Sequence, residues 1–400
     1  MRNHFAILIF ACVIFQPLHL SSAVIAGVFD TRVVDLDRPH PLKGEWEFYW
    51  ERTIESLDRR DSKIFSEFPS LWNALEGEQY SAFGYATYQI RLILPDTPDD
   101  YALFVDDLYS AYNLYINGEL IASNGTFGTS KDSFYPQWKP QVVALDDYGG
   151  SMVLTLEVAN FAHQRGGVAK PIIFGKRDVI EEMFDELVGT DVVIFLLFIF
   201  TAIVFFFRFT FTTFDLESLF FSLFCVFYGY RMIGSDYYAV HQFFADIDWY
   251  LLVRLEYLTF FMAPMFFGLY IWYLYPLDVS KVLMKILMVI CFACAVSIVL
   301  PPIYFTKLSL PFVTAMLFYF FYGFMVYLSA FVNERTGAIY GLISAIAVFS
   351  VFAYAVIVYY GGLRYDPQLL LLGYLLFLFF QSLQLFKNSV KRKREIAEEI

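Results

Sequence analysis

The chain has little charge and little cysteine for its length. Only 17% of its 400 residues are Asp, Glu, Lys or Arg, against roughly 25% in typical soluble domains. Its 4 cysteines all lie in apolar runs, so no disulfide framework is predicted to stabilise the rest of the chain. Cys291 and Cys294 have C-x-x-C spacing, but they fall inside a lipid-length apolar run, where we expect a structural role.

Basic side chains are scarce as well, with 28 Lys and Arg against 40 Asp and Glu, a net charge of −12. A nucleic-acid binder needs a basic surface, so that class of protein is excluded. The excess of acidic over basic residues lies in one half of the chain. Residues 24–186 contain 27 acidic and 14 basic side chains, whereas residues 187–400 contain 13 of each. An acidic half is therefore joined to an electrically neutral and very apolar half, within a chain that is 58% hydrophobic.

Residues 1–23 have the pattern of a secretory signal peptide. Arg2 precedes the apolar stretch Phe5–Phe15, and small residues follow up to Ala23. The apolar stretch is too short to span a bilayer comfortably. We expect cleavage after Ala23, with Ala26 as the second choice, and an uncleaved anchor is the alternative. In either case the segment that follows would be exported.

Long apolar runs fill residues 183–386, and their hydropathy predicts seven membrane spans. We place the spans at about 187–207, 216–234, 252–273, 282–300, 308–331, 338–360 and 367–386. An exported N-terminus and an odd number of spans put the C-terminus in the cytoplasm. Nine basic residues lie on the predicted inner flanks, namely Arg208, Lys281, Lys285, Arg335, Lys387, Lys391, Arg392, Lys393 and Arg394, against Arg231, Arg254, Lys307 and Arg364 on the outer flanks. This bias agrees with the positive-inside rule and predicts a multi-pass protein of the cell (inner) membrane.

Residues 24–182 are predicted to form an extracytoplasmic all-β domain. Gly44–Trp50, Tyr85–Leu94 and Ser151–Ala159 are strand-rich, and the last two have clean alternation of apolar and polar residues. Asn117-Gly118 lies between two further strand-like runs, as a type I′ hairpin turn requires. About eight such strands predict a β-sandwich or jelly roll. Residues 53–80 break the pattern, and we expect a loop or short helix there.

Four segments of this half resemble a known family. They are LKGEWEFYW at 42–50, FGYATY at 83–88, LYINGELIASNG at 114–125 and NFAHQRGG at 160–167. Their order and spacing, followed by seven spans, is similar to the bacterial 7TM-DISM receptors, which are seven-transmembrane receptors with diverse intracellular signalling modules. The resemblance implies a galactose-binding-like jelly roll, related in shape to carbohydrate-binding modules, on a signal-transducing bundle.

Two polar and aromatic edges of the all-β half are candidate ligand-binding sites. Sugar-binding jelly rolls stack sugars on aromatic rings and hydrogen-bond the hydroxyls. The candidate residues are Asn124, Phe134, Tyr135, Gln137 and Trp138 in the loop 124–141, with His163 and Arg165 in a second loop. In the alternative interpretation, the rings plug the end of the sandwich or pack on the outer face of the membrane.

The apolar half matches none of several other classes of seven-helix protein. The last span, Leu369–Phe386, contains no Lys for a retinal Schiff base, and no HExxH or buried Asp pair indicates a protease. Its few ionisable residues, Arg231, Arg254 and Glu256, lie near the predicted outer interface. Such residues are functional candidates by default, although the arginines could instead snorkel to the headgroups. We hypothesise that Glu256 pairs with Arg231.

The segment 387–400 is predicted to be a cytoplasmic stub with a short coiled coil. Apolar residues dominate an a/d pattern made of Leu383, Phe386, Val390, Lys393, Ala397 and Ile400. The alternative is a basic flank that binds anionic lipid. Members of the family usually continue here into a kinase, cyclase or phosphatase module. We therefore expect either that the sequence is a fragment or that it signals through a separate partner.

Taken together, the residues and the resemblance predict a membrane sensory receptor. It would bind an extracytoplasmic small molecule or glycan, lie in the lipid bilayer, act on a cytoplasmic signalling protein or an attached output domain, and form a homodimer. No catalytic constellation, metal site or cofactor site is predicted, so we do not expect an enzyme. The alternative is a membrane transport protein, or a surface-assembly protein that holds glycan without a signalling output.

Overall fold

The computed structural model describes residues 24–58, 64–74, 80–96, 99–108, 110–213, 215–244, 247–359 and 366–399. The predicted signal peptide lies outside these residues, as do Asp246 and Arg364 near two of the predicted span ends. The described chain forms an N-terminal β-sandwich followed by an apolar helical bundle. The predicted order of these two parts is therefore confirmed.

Within the described residues, eleven strands form the two sheets of the sandwich. They are β1 Val28–Asp30, β2 His40–Pro41, β3 Gly44–Trp50, β4 Ile64–Phe68, β5 Gly84–Ile93, β6 Asp99–Val105, β7 Ala111–Ile116, β8 Glu119–Asn124, β9 Gln141–Tyr148, β10 Ser151–Asn160 and β11 Ile173–Lys176. One sheet has the order β4-β3-β5-β10-β7-β8, with β1 parallel to β5, and the other has the order β2-β11-β6-β9. The layers meet face to face, as a sandwich requires.

Side-chain alternation explains why these segments are strands. In β10, Met152, Leu154, Leu156 and Val158 are buried in the core between the sheets, because successive side chains of a strand point to opposite faces. Asn117 connects β7 to β8 with a φ of 51°, and Gly118 follows with a φ of 89°. Both positive values fit the predicted type I′ turn.

The expectation for residues 53–80 is wrong in one part. The region contains the strand β4 in addition to the one-turn helices Ile54–Ser56 and Trp72–Ala74. Strand β4 pairs with β3 along the sheet edge, and the ring of Phe68 stacks on Trp46 with centroids 4.0 Å apart. This long-range contact stabilises a strand whose own sequence is too short to reveal it.

Eight helices follow in the described part of the chain. They are α1 Arg177–Arg208, α2 Leu216–Ile233, α3 Trp249–Leu274, α4 Lys281–Ser297, α5 Pro302–Phe305, α6 Ser309–Val332, α7 Ala338–Tyr359 and α8 Pro367–Glu399. Six stretches of the described helices are long and apolar enough to cross a membrane: α1, α2, α3, α5 and α6 together, α7, and α8. The α8 helix continues past its apolar part through Glu399, while a coiled-coil partner for it stays a prediction.

Helix α4 makes the seventh crossing although it is the shortest of the long helices. It has 17 residues, the lower limit for a bilayer span. Gln164 of the sandwich donates a hydrogen bond to the backbone of Thr306, which places the start of α6 at the sandwich side of the bundle. The α3 helix ends at the opposite side, so α4 must return across the bundle between them.

No linker separates the sandwich from the bundle. Strand β11 ends at Lys176, and α1 begins at Arg177. Since α1 has 32 residues, it is about 48 Å long at a rise of about 1.5 Å per residue, well beyond the roughly 30 Å of bilayer hydrocarbon. Its first turns pack on the sandwich, where the rings of Phe184 and Phe104 lie 5.3 Å apart. The sandwich is therefore seated on an extension of the first membrane helix.

The predicted topology can be tested with paired reporter fusions. Alkaline phosphatase fused after Leu300, on the sandwich side, should be active, while green fluorescent protein fused after Lys391 should fluoresce. The physical reason is the surplus of basic residues at the end away from the sandwich. Phosphatase activity after Lys391, with fluorescence after Leu300, would reverse the predicted orientation.

Candidate functional site

The predicted ligand-binding loop packs onto the helical bundle. We call the contact between the two halves, made from the sandwich by Tyr135, Trp138, Gln164 and Lys170, the joint. Trp138 is only 1% exposed. Its ring centroid lies 5.3 Å from that of Trp249, 5.4 Å from that of Tyr238 and 5.7 Å from that of His163. The carbonyl oxygen of Trp138 accepts a hydrogen bond from Nε2 of His241 (2.7 Å). Trp138 thus belongs to the core of the bundle, although its chain segment belongs to the sandwich.

Hydrogen bonds extend the joint on both sides of Trp138. The hydroxyl of Tyr135 donates to the carboxylate of Asp248, which also caps the start of α3. Mainly because of this hydrogen bond, the pKa of Tyr135 rises to about 12, so the hydroxyl remains a donor. On the other side, Nε2 of Gln164 donates to the carbonyl of Thr306 (2.6 Å) and to Oγ of Ser309 (3.2 Å). The sandwich is held at the starts of α3 and α6.

A buried ion cluster completes the joint. Nζ of Lys170 lies 3.2 Å from Asp106 and 2.8 Å from Asp107, and it donates to the backbone carbonyl of Asp236 at 3.4 Å. Burial raises the pKa of Asp106, and the charge of Lys170 opposes that rise. The ring of Tyr237 lies under the ammonium at 5.8 Å. These contacts connect two sandwich loops to the segment after α2. Within the described residues, no group of three or more His, Cys, Asp or Glu could hold a metal.

Two of the predicted ligand residues maintain the shape of the loop 124–141. Nδ2 of Asn124 donates to the carbonyl of Lys139 (3.0 Å), and Oε1 of Gln137 accepts from the backbone amide of Gly125 (3.3 Å). Both bonds cross the base of the loop. Asn124 and Gln137 therefore position Tyr135 and Trp138 on the bundle.

Of the other predicted ligand residues, one is buried in the joint and two are more exposed. His163 is buried against Trp138. Phe134 is partly exposed, and its ring meets the edge of Phe161 at 5.5 Å. Arg165 is exposed to solvent. Tyr135 and Trp138 thus contact the helical bundle, while Phe134 packs on Phe161 of the sandwich. A ligand role for these residues stays a prediction.

The hypothesised pair of Arg231 and Glu256 is not formed. In the part of the chain that the structure describes, no ion pair within 4.0 Å joins them. Glu256 instead accepts a hydrogen bond from Tyr238 (3.3 Å), and the guanidinium of Arg231 lies 4.9 Å from the ring centroid of Phe260. Arg254 donates to the carbonyl of Tyr250 (2.8 Å) on its own helix. Glu256 is thus connected to the joint, because Tyr238 packs on Trp138.

A polar patch on the outer face of the larger sheet was missed by the sequence analysis. Glu157 on β10 is 2% exposed and accepts hydrogen bonds from the amide of Ile54 (2.7 Å), the hydroxyl of Tyr115 (2.8 Å) and Nδ2 of Asn113 (3.4 Å). Burial, and then the neighbouring carboxylate of Glu157, raise the pKa of Tyr115 to about 12. The available signal was the acidic residue inside the apolar run of β10. Gln89 on β5 extends the patch by donating to Thr155 (2.9 Å).

A second polar cluster fastens α8 at the end of the bundle away from the sandwich. The side-chain oxygen of Gln381 accepts a hydrogen bond from Tyr270 (2.6 Å), and its nitrogen donates to Tyr327 (3.0 Å) and to Ser344 (2.6 Å). One turn later, Gln384 donates to the hydroxyl of Tyr275 (2.8 Å). Uncharged amides in an apolar span gain stability only where such partners surround them.

Ion pairs lie at the same end. The guanidinium of Arg208 contacts Asp215 (3.0 Å) and donates to the backbone carbonyl of Leu385 (3.2 Å) on α8. Arg335 pairs with Asp278 at 3.0 Å. The pKa of Asp278 is lowered, because the hydrogen bonds it accepts, Arg335 included, outweigh the effect of its burial. This end of the bundle is thus held by charges and amides, whereas the sandwich end is held mainly by aromatic rings.

These features define a multi-pass membrane protein whose N-terminal sandwich packs tightly against an apolar helical bundle. Residues 190–388 match the family described as 7TM diverse intracellular signalling. The helical half of the chain thus matches the family that the resemblance in the sequence indicated. No curated protein matches the chain.

Several solved structures are similar to part of the sandwich half. A GH2 β-galacturonidase from Eisenbergiella tayi is 14% identical over 35% of this chain and 24% of that chain, with a TM-score of 0.26. A β-glucuronidase from Faecalibacterium prausnitzii is 14% identical over 34% and 31%, with a TM-score of 0.27. A β-glucuronidase from an uncultured Clostridium species is 16% identical over 35% and 29%, with a TM-score of 0.28. The chain therefore spans less than a third of the length of these three proteins.

The burial of His163 makes the stability of the joint pH-dependent. Burial lowers the pKa of His163 from its ordinary value of 6.5 to about 3, with a further contribution from the charge of Arg165. Between these values the unfolded chain binds a proton that the folded chain does not, so stability decreases as the pH falls below 6.5. The loss is about 2 kcal/mol at pH 5, at roughly 1.4 kcal/mol per pH unit.

We expect a change from pH 7 to pH 5 to lower the melting temperature of the unmodified chain in lipid nanodiscs relative to that of His163→Asn, because only the unmodified chain has the buried imidazole. The control is His40→Asn, which changes a partly exposed histidine outside the joint. Equal pH dependence in His163→Asn and the unmodified protein would contradict the prediction.

Removing the Trp138 ring should open the joint without unfolding the sandwich. In Trp138→Ala, we expect hydrogen–deuterium exchange to increase in residues 235–244 and at the start of α3, since both lose an aromatic contact. The matched control is Trp46→Ala, which removes an equally buried ring from the sandwich core and should increase exchange throughout the strands. The same exchange pattern in both variants would show that Trp138 acts only through overall stability.

Proposed function

We propose that the chain is a membrane sensory receptor. In this proposal the sandwich binds an extracytoplasmic ligand, and the helices carry the resulting change to the cytoplasmic side. The observation that supports it best is the joint, where Trp138 is buried among residues of the bundle. A domain that only held a ligand near the surface would need no such rigid attachment.

Two further features favour transmission through this joint. Strand β11 continues directly into α1, so a shift in the smaller sheet must move the first membrane helix. The joint also holds Tyr238, which donates to Glu256 one turn into the apolar part of α3. A packed contact of this kind favours discrete arrangements over gradual deformation. A ligand would bias these arrangements by its differential affinity for them.

We place the ligand site on the polar patch of the larger sheet, and a hydroxyl-rich ligand such as a carbohydrate suits it. The patch combines an aromatic ring, Tyr115, with the acceptors and donors of Glu157, Asn113 and Gln89. Rings that stack on apolar faces, together with a few fixed polar groups, are the usual chemistry of such sites. The loop 124–141 is less suitable, since Trp138 and Tyr135 are already engaged with the bundle.

The output would be read from α8. Its cytoplasmic part continues the last span without interruption to Glu399, and Gln381 and Gln384 fasten it to three other helices. A change in these amide contacts would shift or rotate the segment after residue 387. A signalling partner, or an output module attached to α8 in a dimer, could detect this movement.

The test is a panel of mono- and oligosaccharides added to the full chain in nanodiscs. A ligand that binds the folded state must raise its melting temperature. We expect a saturable increase with at least one sugar, accompanied by altered hydrogen exchange in residues 375–391 of α8. No increase with any sugar would contradict a carbohydrate ligand, and an increase without change in α8 would contradict signalling.

Two variants separate binding from transmission. Asn113→Ala removes a side chain whose hydrogen bonds are long, so it should cost little stability but weaken the sugar-dependent shift. Trp138→Ala should retain the shift but lose the change in α8, because the joint is opened. If Trp138→Ala instead abolishes the shift while Asn113→Ala retains it, the ligand binds at the loop 124–141.

A further inference from the structure

A cavity of about 450 Å³ lies between the helices of the bundle and is open at one side, where Phe352 of its wall is exposed. It is bounded by side chains from α2, α3, α4, α6, α7 and α8, and nearly all of them are apolar or aromatic. Cavities of roughly 300–1,000 Å³ with apolar walls and few polar groups are typical of small-molecule sites. This cavity is separate from the polar patch on the sandwich, so an occupant would be a different ligand.

Arg231 is the one charged residue among the described residues that line the cavity. At the end of the bundle away from the sandwich, Arg208 and Arg335 each have a carboxylate partner at 3.0 Å. Arg254 donates to a carbonyl of its own helix. No carboxylate of the described chain lies within 4.0 Å of the Arg231 guanidinium, which faces the ring of Phe260. Glu256 acts on it only electrostatically and hydrogen-bonds Tyr238. A guanidinium in an apolar cavity is costly unless an anion joins it.

The cavity is elongated along the bundle. Its lining on α3 extends from Phe260 to Ile271, a length of about 16 Å at a rise of about 1.5 Å per residue. Arg231 lies in the last turn of α2, at the sandwich end. A molecule that fits would therefore carry its charge near the membrane interface and extend an apolar chain toward the middle of the bundle.

We propose that the cavity binds a single-chain amphiphile with one anionic head group, specifically a long-chain carboxylate. The planar guanidinium of Arg231 matches the two oxygens of a carboxylate in a bidentate contact. The apolar walls accommodate one acyl chain, and the volume favours one chain over the two of a phospholipid. No covalent chemistry is involved.

Binding there would act on the output helix directly. Tyr374 and Phe377 of α8 line the cavity, and Tyr374 shares a hydrogen bond with Tyr228 of α2 (2.9 Å between hydroxyls). An acyl chain beside these rings would favour one position of α8 relative to α2. The site would thus let the protein sense a membrane-borne ligand in addition to one bound by the sandwich.

The experiment measures saturable binding of radiolabelled myristate, and of myristyl alcohol, to the full chain in phosphatidylcholine nanodiscs. We expect Arg231→Gln to weaken myristate binding at least tenfold and to leave the weaker binding of the alcohol unchanged. The matched control is Arg254→Gln, which removes a neighbouring arginine that does not line the cavity and should change neither. Gly323→Leu should weaken both, because its side chain fills the cavity while Arg231 is retained.

Gly323→Leu also keeps the test decisive if Arg231→Gln fails to fold. A Cβ atom at Gly323 would meet only Cδ1 of Ile271, at 3.8 Å, so this variant should fold. Three results would overturn the proposal: myristyl alcohol binding as tightly as myristate, myristate binding unchanged in both variants, or phosphatidylglycerol competing as well as myristate. The last would identify the occupant as a two-chain lipid. None of these results depends on whether the sandwich binds a sugar.

Discussion

The seating of Trp138 in the helical bundle is the interaction on which the arrangement of the two halves depends. Its ring is buried among residues that precede and begin α3, while its backbone continues into β9 of the sandwich. Because the ring is fully desolvated and Tyr238, Trp249 and His163 surround it, the sandwich cannot tilt without opening an apolar gap. Close-packed interfaces of this kind respond to strain by changing between packings rather than by bending.

The bundle is held differently at its two ends. Edge-to-face contacts between aromatic rings and the Lys170 cluster fix the sandwich end. At the opposite end, Gln381 forms hydrogen bonds, and Arg208 and Arg335 form ion pairs. Between the two ends lies the cavity. Membrane helices associate through packing and hydrogen bonds, since lipid gives them no hydrophobic drive. Helices that are fastened at both ends around an incompletely packed centre have room to shift there.

The sequence predicted what local patterns determine. Alternation in β10 and the Asn117-Gly118 turn reflect contacts only a few residues apart, and hydropathy locates the spans because each must satisfy its own backbone in lipid. The contacts of Trp138 with Tyr238 and Trp249 could not be predicted in the same way, because these two residues lie a hundred residues or more away along the chain. Glu256 was recognised as unusual, yet its partner proved to be Tyr238 rather than Arg231. A charged residue in a span signals that a partner is needed but does not identify it.

The separate contacts of Glu256 and Arg231 affect how the two proposed ligands would influence each other. Glu256 belongs to the joint through Tyr238, and Arg231 belongs to the cavity, although the two charges act on each other. An anion bound at Arg231 would change the field at Glu256, and hence the strength of its contact with the joint. By thermodynamic linkage, a sandwich ligand that altered the joint would change the affinity of the cavity by the same factor.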